Sequence, residues 1–552
     1  MKVFFNNTYL LTCWSVLFVT LSLTPWVNVD SLIIPKIAIL LSSSLFFLPR
    51  IFNKKNYSVN NRITKMFYVI SVLVLIQLLL VVFNSNAPIE QQIYGRTGRG
   101  LGFITELSLI VLALASCIYV TYQNLKTLLF VLLITASITS LYSLLQRFGF
   151  DFFDWVSRTN GIIGTLGNPN FQSSFAAMAI IPAIAYFATN KKSKYISPLM
   201  IVILVTVIYI TQSTQGYLIL FTSLTLLVLI YSWYRRRTIF FGTLSFALII
   251  GTFAILGMVN KGFLSSYLYK PSVRSRGEFF RSAMNTAQDN PFFGVGLDSF
   301  GDYYWMYRDP KDINGIKEFA DNAHNYFLNT ASTGGFILIF LQTIIISLTL
   351  ISFILIQRKI GKFNWNITAV FCSWVGYQMQ SLISPTSISL LAWNSIISGS
   401  LIGLTVKEYS ESSSIIEKVK YENRFAISTF LFFIGLLIVF PLYNADRLQL
   451  LSAKTGNAEL AIKSAKSFPE STVRYKQISD AFLESGLKQQ GLDLARSAVI
   501  FNSNSIASWG IILLSPLATY EERVNAQKEV LRLDPMNISV QNYIVPNSLE
   551  LN

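Results

Sequence analysis

Histidine occurs once in the 552 residues, as His324, and cysteine three times. A single imidazole excludes a histidine-based zinc site, and a Ser-His-Asp triad would have to use it. Cys13, Cys117 and Cys372 all lie in apolar runs, in no CxxC or zinc spacing. They imply no disulfide framework and read as small apolar residues facing lipid or core. The chain has no Walker loop and no GxSxG nucleophile elbow. Charge is scarce too: 13% of residues are charged, against 52% hydrophobic and 14% aromatic. A soluble domain carries about 25% charged residues, so this chain has too little polar surface to cover itself in water. The expected fold class is an all-α polytopic membrane protein. The net charge of +16, from 44 Lys+Arg against 28 Asp+Glu, is spread along the chain instead of forming the patch that a nucleic acid needs. No nucleic-acid partner is expected.

A helix needs about 20 apolar residues to cross the bilayer core. Thirteen candidate spans fit, near residues 8–24, 31–49, 66–84, 103–122, 127–145, 171–188, 196–212, 214–233, 238–258, 334–356, 365–382, 387–405 and 425–443. The first run ends in Leu23-Thr-Pro-Trp26 without a small-residue cleavage site and reads as a retained anchor. Basic connections stay cytoplasmic. With the N-terminus inside, the cytoplasmic connections hold twenty Lys and Arg, whereas the short external ones hold only Arg96, Arg99, Arg147 and Arg158. This orientation puts loop 259–333 and the tail from residue 444 outside the cytoplasm. Loop 259–324 balances eight basic with eight acidic residues and the tail eleven with eleven, so most of the net charge is topological.

Two units are expected, a transmembrane part over 1–443 and a helical tail over 444–552. In the tail, Ala465-Lys-Ser-Phe468, Ala498-Val-Ile-Phe501 and Val530-Leu-Arg-Leu533 recur at spacings of 33 and 32, each followed by a polar or Pro-containing turn. The period resembles a tetratricopeptide-type array, which would offer a groove to a protein partner. A small helical domain packed on the membrane part accounts for the pattern equally well.

The chemistry-bearing residues gather in the external connections. His324 lies in Asp321-Asn-Ala-His-Asn-Tyr-Phe-Leu328 before a span. Its side chain exchanges protons near neutral pH, although a lone histidine often serves only as a hydrogen-bonder. Arg276 and Arg281 fall in Ser275-Arg-Gly-Glu-Phe-Phe-Arg-Ser-Ala-Met284, beside a Phe279, Phe280 and Met284 stripe suited to the membrane surface. Guanidinium groups grip phosphate oxygens with two prongs; anchoring to lipid headgroups is the plainer role. In Asp289-Asn-Pro-Phe-Phe-Gly-Val-Gly296, Pro291 stops a helix and the glycines allow a sharp turn that folds the loop back over the membrane face. Gly161-Ile-Ile-Gly-Thr-Leu-Gly-Asn-Pro-Asn170 precedes the sixth span, where Asn168 or Asn170 can cap a helix or meet a sugar diphosphate. Arg96, Arg99 and Glu106 lie at the start of the fourth span. Asp151 and Asp154 lack a third ligand, so no metal or cofactor is expected.

Taken in order, Gly164-Thr-Leu-Gly-Asn-Pro-Asn170, Ser275-Arg276 with Phe280, Asn290-Pro-Phe-Phe-Gly-Val-Gly296, His324-Asn325 and Gly334-Gly335 resemble the bacterial O-antigen ligase/polymerase superfamily. The resemblance spans roughly residues 65–405. It implies a glycosyltransferase of the bacterial inner membrane, with a cytoplasmic N-terminus and a periplasmic tail. Such an enzyme moves a glycan from undecaprenyl diphosphate to an acceptor glycolipid, glycan or protein hydroxyl. The family's loop arginine maps onto Arg276 and its histidine onto His324, the two implied catalytic residues. A second arginine of the family is replaced here by Gln215, in Gln212-Ser-Thr-Gln-Gly216. Arg99, Arg158 and Arg281 are the candidates to replace it, with Asn168, Asn170, Gln215 and Asn325 as further substrate-binding candidates. The same chemistry serves a ligase, a polysaccharide polymerase and a protein O-oligosaccharyltransferase. A lipid-linked glycan transporter and a membrane scaffold displaying the tail are the competing classes.

Overall fold

The computed structural model describes residues 7–52, 61–153, 155, 161–190, 195–312, 318–408 and 424–546. Helices dominate, and no strand occurs among the described residues. In chain order the membrane part comprises α1 (Thr8–Leu21), α2 (Ile33–Ile51), α3 (Arg62–Asn84), a short α4 (Ile89–Tyr94), α5 (Phe103–Tyr119), α6 (Leu125–Arg147), α7 (Pro169–Thr189), α8 (Ile196–Ile210), α9 (Thr214–Arg235) and α10 (Arg237–Met258). The long loop holds α11 (Ser265–Leu268), α12 (Pro271–Asp289) and α13 (Phe300–Tyr303). The chain then returns through α14 (Tyr326–Ile360), α15 (Trp365–Ser381), α16 (Ile388–Leu404) and α17 (Phe425–Thr455). Every apolar segment anticipated as a span is a helix. Among the described residues eight helices are long and apolar enough to cross a membrane, and α1, α5, α8 and α16 are apolar but shorter. The chain is an all-α polytopic membrane protein.

Small residues let the central helices touch. A Cβ added at Gly399 or Gly403 of α16 would lie 2.1 Å from the carbonyl oxygen of Ala113 or Cys117 on α5. Backbones this close gain dispersion contacts where lipid offers no hydrophobic drive. All three cysteines are buried and unbonded to one another. At the rim, α10 packs on α9 and leaves its apolar surface outward.

One helix is broken. Gly335, inside α14, has φ 80° and ψ 170°, which ends one helix and starts another. The preceding half, Tyr326 to Gly334, carries Asn329, Thr330, Ser332 and Thr333, all buried. The loop after α12 plugs the break: Val295 N–H donates to Ser332 O at 2.9 Å, Gly296 N–H to Thr333 O at 3.1 Å, and Phe336 N–H to Pro291 O at 2.7 Å. Gln77 of α3 seals the joint, its Nε2 donating to Phe292 O at 2.7 Å. Backbone groups freed by the break thus find partners inside the protein, as burial demands. Gly294 and Gly335 make the fit possible, since both have positive φ and a Cβ at either would stand 2.4 Å from backbone of the opposing segment.

Beyond Pro441, α17 runs on to Thr455 and hands over to α18 (Ala458–Ala465), α19 (Thr472–Glu484), α20 (Lys488–Phe501), α21 (Ile506–Leu514), α22 (Tyr520–Leu533) and α23 (Ile538–Gln541). The recurring Ala465, Ala498 and Val530 are all core residues. This tail packs on the same face as the long loop: Asn502 Nδ2 donates to Asp302 at 3.0 Å, and Phe468 meets the Tyr94 ring edge-on at 5.8 Å.

Candidate active site

The turn before α14 sets His324. Asn325 caps the first half-helix by accepting from Leu328 N–H at 3.0 Å, and its Nδ2 donates to Leu382 O at 2.9 Å. His324 N–H donates to Asn322 Oδ1 at 2.9 Å, and Ala323 N–H to Asn329 Oδ1 at 3.2 Å. These bonds hold His324 at φ 54°, in the left-handed region that few side chains adopt. Such strain persists only where surrounding contacts hold it in place.

Helix α12 supplies the wall behind it. Phe279 is 4% exposed, and its ring lies 5.2 Å from the imidazole and 5.6 Å from Tyr304. The expected apolar stripe is therefore split: Phe279 packs on the histidine and the loop core, while Met284 stays exposed. Phe279, Phe300 and Tyr304 share one buried apolar cluster in the loop, and that is where the Phe279 ring finds its cover. Ser282, one turn on, donates to Tyr304 O at 2.9 Å and locks the helix to the loop.

Two guanidinium groups and one carboxylate surround the imidazole. Arg99 holds Asp321 with both prongs, Nε to Oδ2 at 2.9 Å and Nη2 to Oδ1 at 2.6 Å. Burial pulls the Asp321 carboxyl upward, but Arg99 beside it keeps it below its ordinary value. Arg276 has no carboxylate within ion-pair distance among the described residues, and burial lowers its pKa. Burial first, then the charges of Arg99 and Arg276, push His324 down to about 4, with Asp321 pulling the other way. The imidazole is therefore neutral at ordinary pH and able to accept a proton. With Arg99 held by Asp321, Arg276 is the guanidinium at the site that has no carboxylate partner among the described residues, which suits an anion.

The other expected site residues separate. Arg281 is tied by both prongs to Asp312, Nε to Oδ2 at 2.9 Å and Nη2 to Oδ1 at 2.5 Å. Asn168 caps α7 by accepting from Asn170 N–H at 2.8 Å, and Asn170 Oδ1 accepts from Ser213 at 2.7 Å. Gln215 is buried at the head of α9, and among the described residues neither of its amide atoms has a hydrogen-bond partner. Arg158 and Asp154 lie outside the described residues. Asp151 is taken up by Tyr142 at 2.7 Å and by Gln146 at 3.0 Å. Sequence reasoning quoted Asp321 without giving it a role, and it missed Asp298 and Asp302, which hold the Arg96–Arg99 loop. Beneath the His324 turn, Glu106, Asp298, Tyr326 and Asn329 help line a cavity of about 30 Å³. That is room for a water or two.

Residues 199–343, from α8 into α14, match the family model described as O-antigen ligase. Over that segment the chain is similar to the O-antigen ligases. The match is narrower than the expected 65–405, but it contains Gln215, Arg276, Arg281, His324 and Asn325, and the broken α14. The matched segment thus contains the histidine and one guanidinium, while Arg99 comes from upstream of it. No curated protein matches the chain.

Proposed function

We propose that the protein is a membrane glycosyltransferase that moves a glycan from a polyprenyl diphosphate, of the undecaprenyl type, to an acceptor hydroxyl at the periplasmic face of a bacterial inner membrane. The observation that carries this reading is a neutral imidazole beside a guanidinium with no ion-pair partner among the described residues, in a segment that matches the O-antigen ligase family model. The basic connections support a cytoplasmic N-terminus and an external His324 loop.

In the proposed step the acceptor oxygen attacks the anomeric carbon of the lipid-linked glycan. The bond from that carbon to the diphosphate oxygen breaks, and the leaving diphosphate takes the electron pair. His324 takes the hydroxyl proton as the new bond forms and later returns it to water. Arg276 grips the diphosphate and stabilises the charge gathering on it. Arg99 is the second guanidinium, in place of the arginine absent at Gln215: both it and Arg281 are held by a carboxylate, but only Arg99 shares the imidazole's surroundings. The prenyl chain lies among the apolar spans. Holding both substrates at one interface replaces a bimolecular encounter with a positioned attack.

The test is transfer from a synthetic prenyl-diphosphate-linked oligosaccharide by the purified protein. His324→Ala and Arg276→Lys are both expected to lose transfer at unchanged abundance. Full transfer by a well-folded His324→Ala protein would remove the imidazole from the reaction. Analysis of surface polysaccharide and glycoproteins after gene deletion would name the acceptor.

A further inference from the structure

The loop carrying Arg99 has little stiffness of its own. Gly95, Gly98 and Gly100 all have positive φ, at 85°, 84° and 64°, and glycine populates such conformations at the cost of greater freedom in the unanchored chain. Inside the loop, Arg99 N–H and Gly100 N–H both donate to Arg96 O at 2.9 Å. Everything else that fixes it comes from elsewhere.

Four consecutive residues are pinned by different parts of the molecule. Arg96 N–H donates to Asp298 Oδ2 at 2.7 Å, and Arg96 Nη1 to Asp302 Oδ1 at 2.6 Å. Thr97 shares a hydrogen bond with Ser471 of the tail at 2.7 Å. Gly98 N–H donates to Asp30 at 2.9 Å, and Arg99 grips Asp321. The second oxygen of Asp302 accepts from Gln91 Nε2 and from Asn502 Nδ2 of the tail, each at 3.0 Å. The Asp302 side chain is 5% exposed, so water cannot readily replace a lost donor. Asn502 itself is buried at the end of α20. Two of the four anchors therefore lead into the tail, one directly and one through the carboxylate that holds Arg96.

We propose that the C-terminal helical tail is a working part of the active site, in which Asn502 and Ser471 are positioning residues that present Arg99 beside His324 for the diphosphate donor. The inference rests on the glycosyl-transfer reading. It assigns the tail a role in donor binding that does not require a protein partner. Hydrogen bonds to a buried charge are the strong kind, so loss of the Asn502 amide should loosen Asp302, Arg96 and the loop together.

The test combines two measurements on the full chain in detergent, for Asn502→Ala and for the milder Ser471→Ala. Amide hydrogen exchange over residues 94–101 should rise in both variants. The KM for a synthetic prenyl-diphosphate-linked oligosaccharide should rise about tenfold in Asn502→Ala, the scale of one hydrogen bond to a charged group, while the acceptor KM stays put. Support of the fold alone would instead lower the active fraction and leave the donor KM unchanged. That result, or unchanged exchange over 94–101 in both variants, overturns the positioning role while leaving the glycosyl-transfer reading intact. Inactivity of the unaltered chain overturns the transfer reading and this inference with it.

Discussion

Because the chain has one histidine, selective isotope labelling gives one imidazole signal, provided the purification tag is free of histidine. Its titration reads the electrostatics of the site directly. An ordinary histidine titrates near 6.5, and His324 is pushed down to about 4. That lowering corresponds to about 3 kcal/mol against charging the ring in place. At pH 6 an ordinary imidazole is about one-quarter neutral, whereas one titrating at about 4 is about 99% neutral. Transfer that depends on the neutral ring should therefore stay level from pH 8 down to about 5.5 and fall only nearer 4. Burial is the largest cause, with Arg99 and Arg276 next, so Arg276→Gln should raise the midpoint and still leave it below 6.5. Asp321→Asn should move it the other way, since Asp321 alone pulls it upward. Stability follows in sign. The folded pKa is lower than the unfolded one, so the unfolded chain binds more protons between pH 6.5 and 4. Stability present above that window is lost as pH falls through it, by at most about 3 kcal/mol. A midpoint at or above 6.5, or one indifferent to both substitutions, would refute the reasoning.

Gly335→Ala should destabilise the protein by at least 1–3 kcal/mol, roughly the cost of a strained backbone residue, because its Cβ meets Phe292 O at 2.4 Å; thermal unfolding in detergent measures it. Arg281→Ala should cost transfer far less than Arg99→Ala, and no more than about 1 kcal/mol of stability, since its pair with Asp312 is 43% exposed on the arginine side. Lys36→Met should loosen the 161–168 connection, because the buried ammonium donates to Thr165 O at 2.7 Å and Thr20 O at 3.0 Å. Hydrogen exchange over that connection would register the change, and protection equal to the unaltered chain would contradict it.

The spans were legible because lipid reads a helix by its apolar run, which is a local property of the chain. The tenth span was anticipated from residue 334, whereas α14 begins at Tyr326. Its first half is polar enough to look like loop, with Asn329, Thr330, Ser332 and Thr333, and it is buried by protein rather than lipid. The histidine and Arg276 could be singled out by residue type and order. The anchoring of Arg99 could not, because Asp321 lies 222 positions further along the chain and no local pattern records the pairing. The role of Phe279 was hidden for the same reason: an apolar stripe looks alike whether it faces lipid or an imidazole.

Pinning residues 291–296 to the cleft in α14 also clasps both ends of the intervening stretch, 297–331, at a fixed base. A segment held like a buckle can change in length or composition along its outer arc without disturbing the frame beneath. On the glycosyl-transfer reading, exchange of its outermost part would change what the site meets while the helices stay as they are.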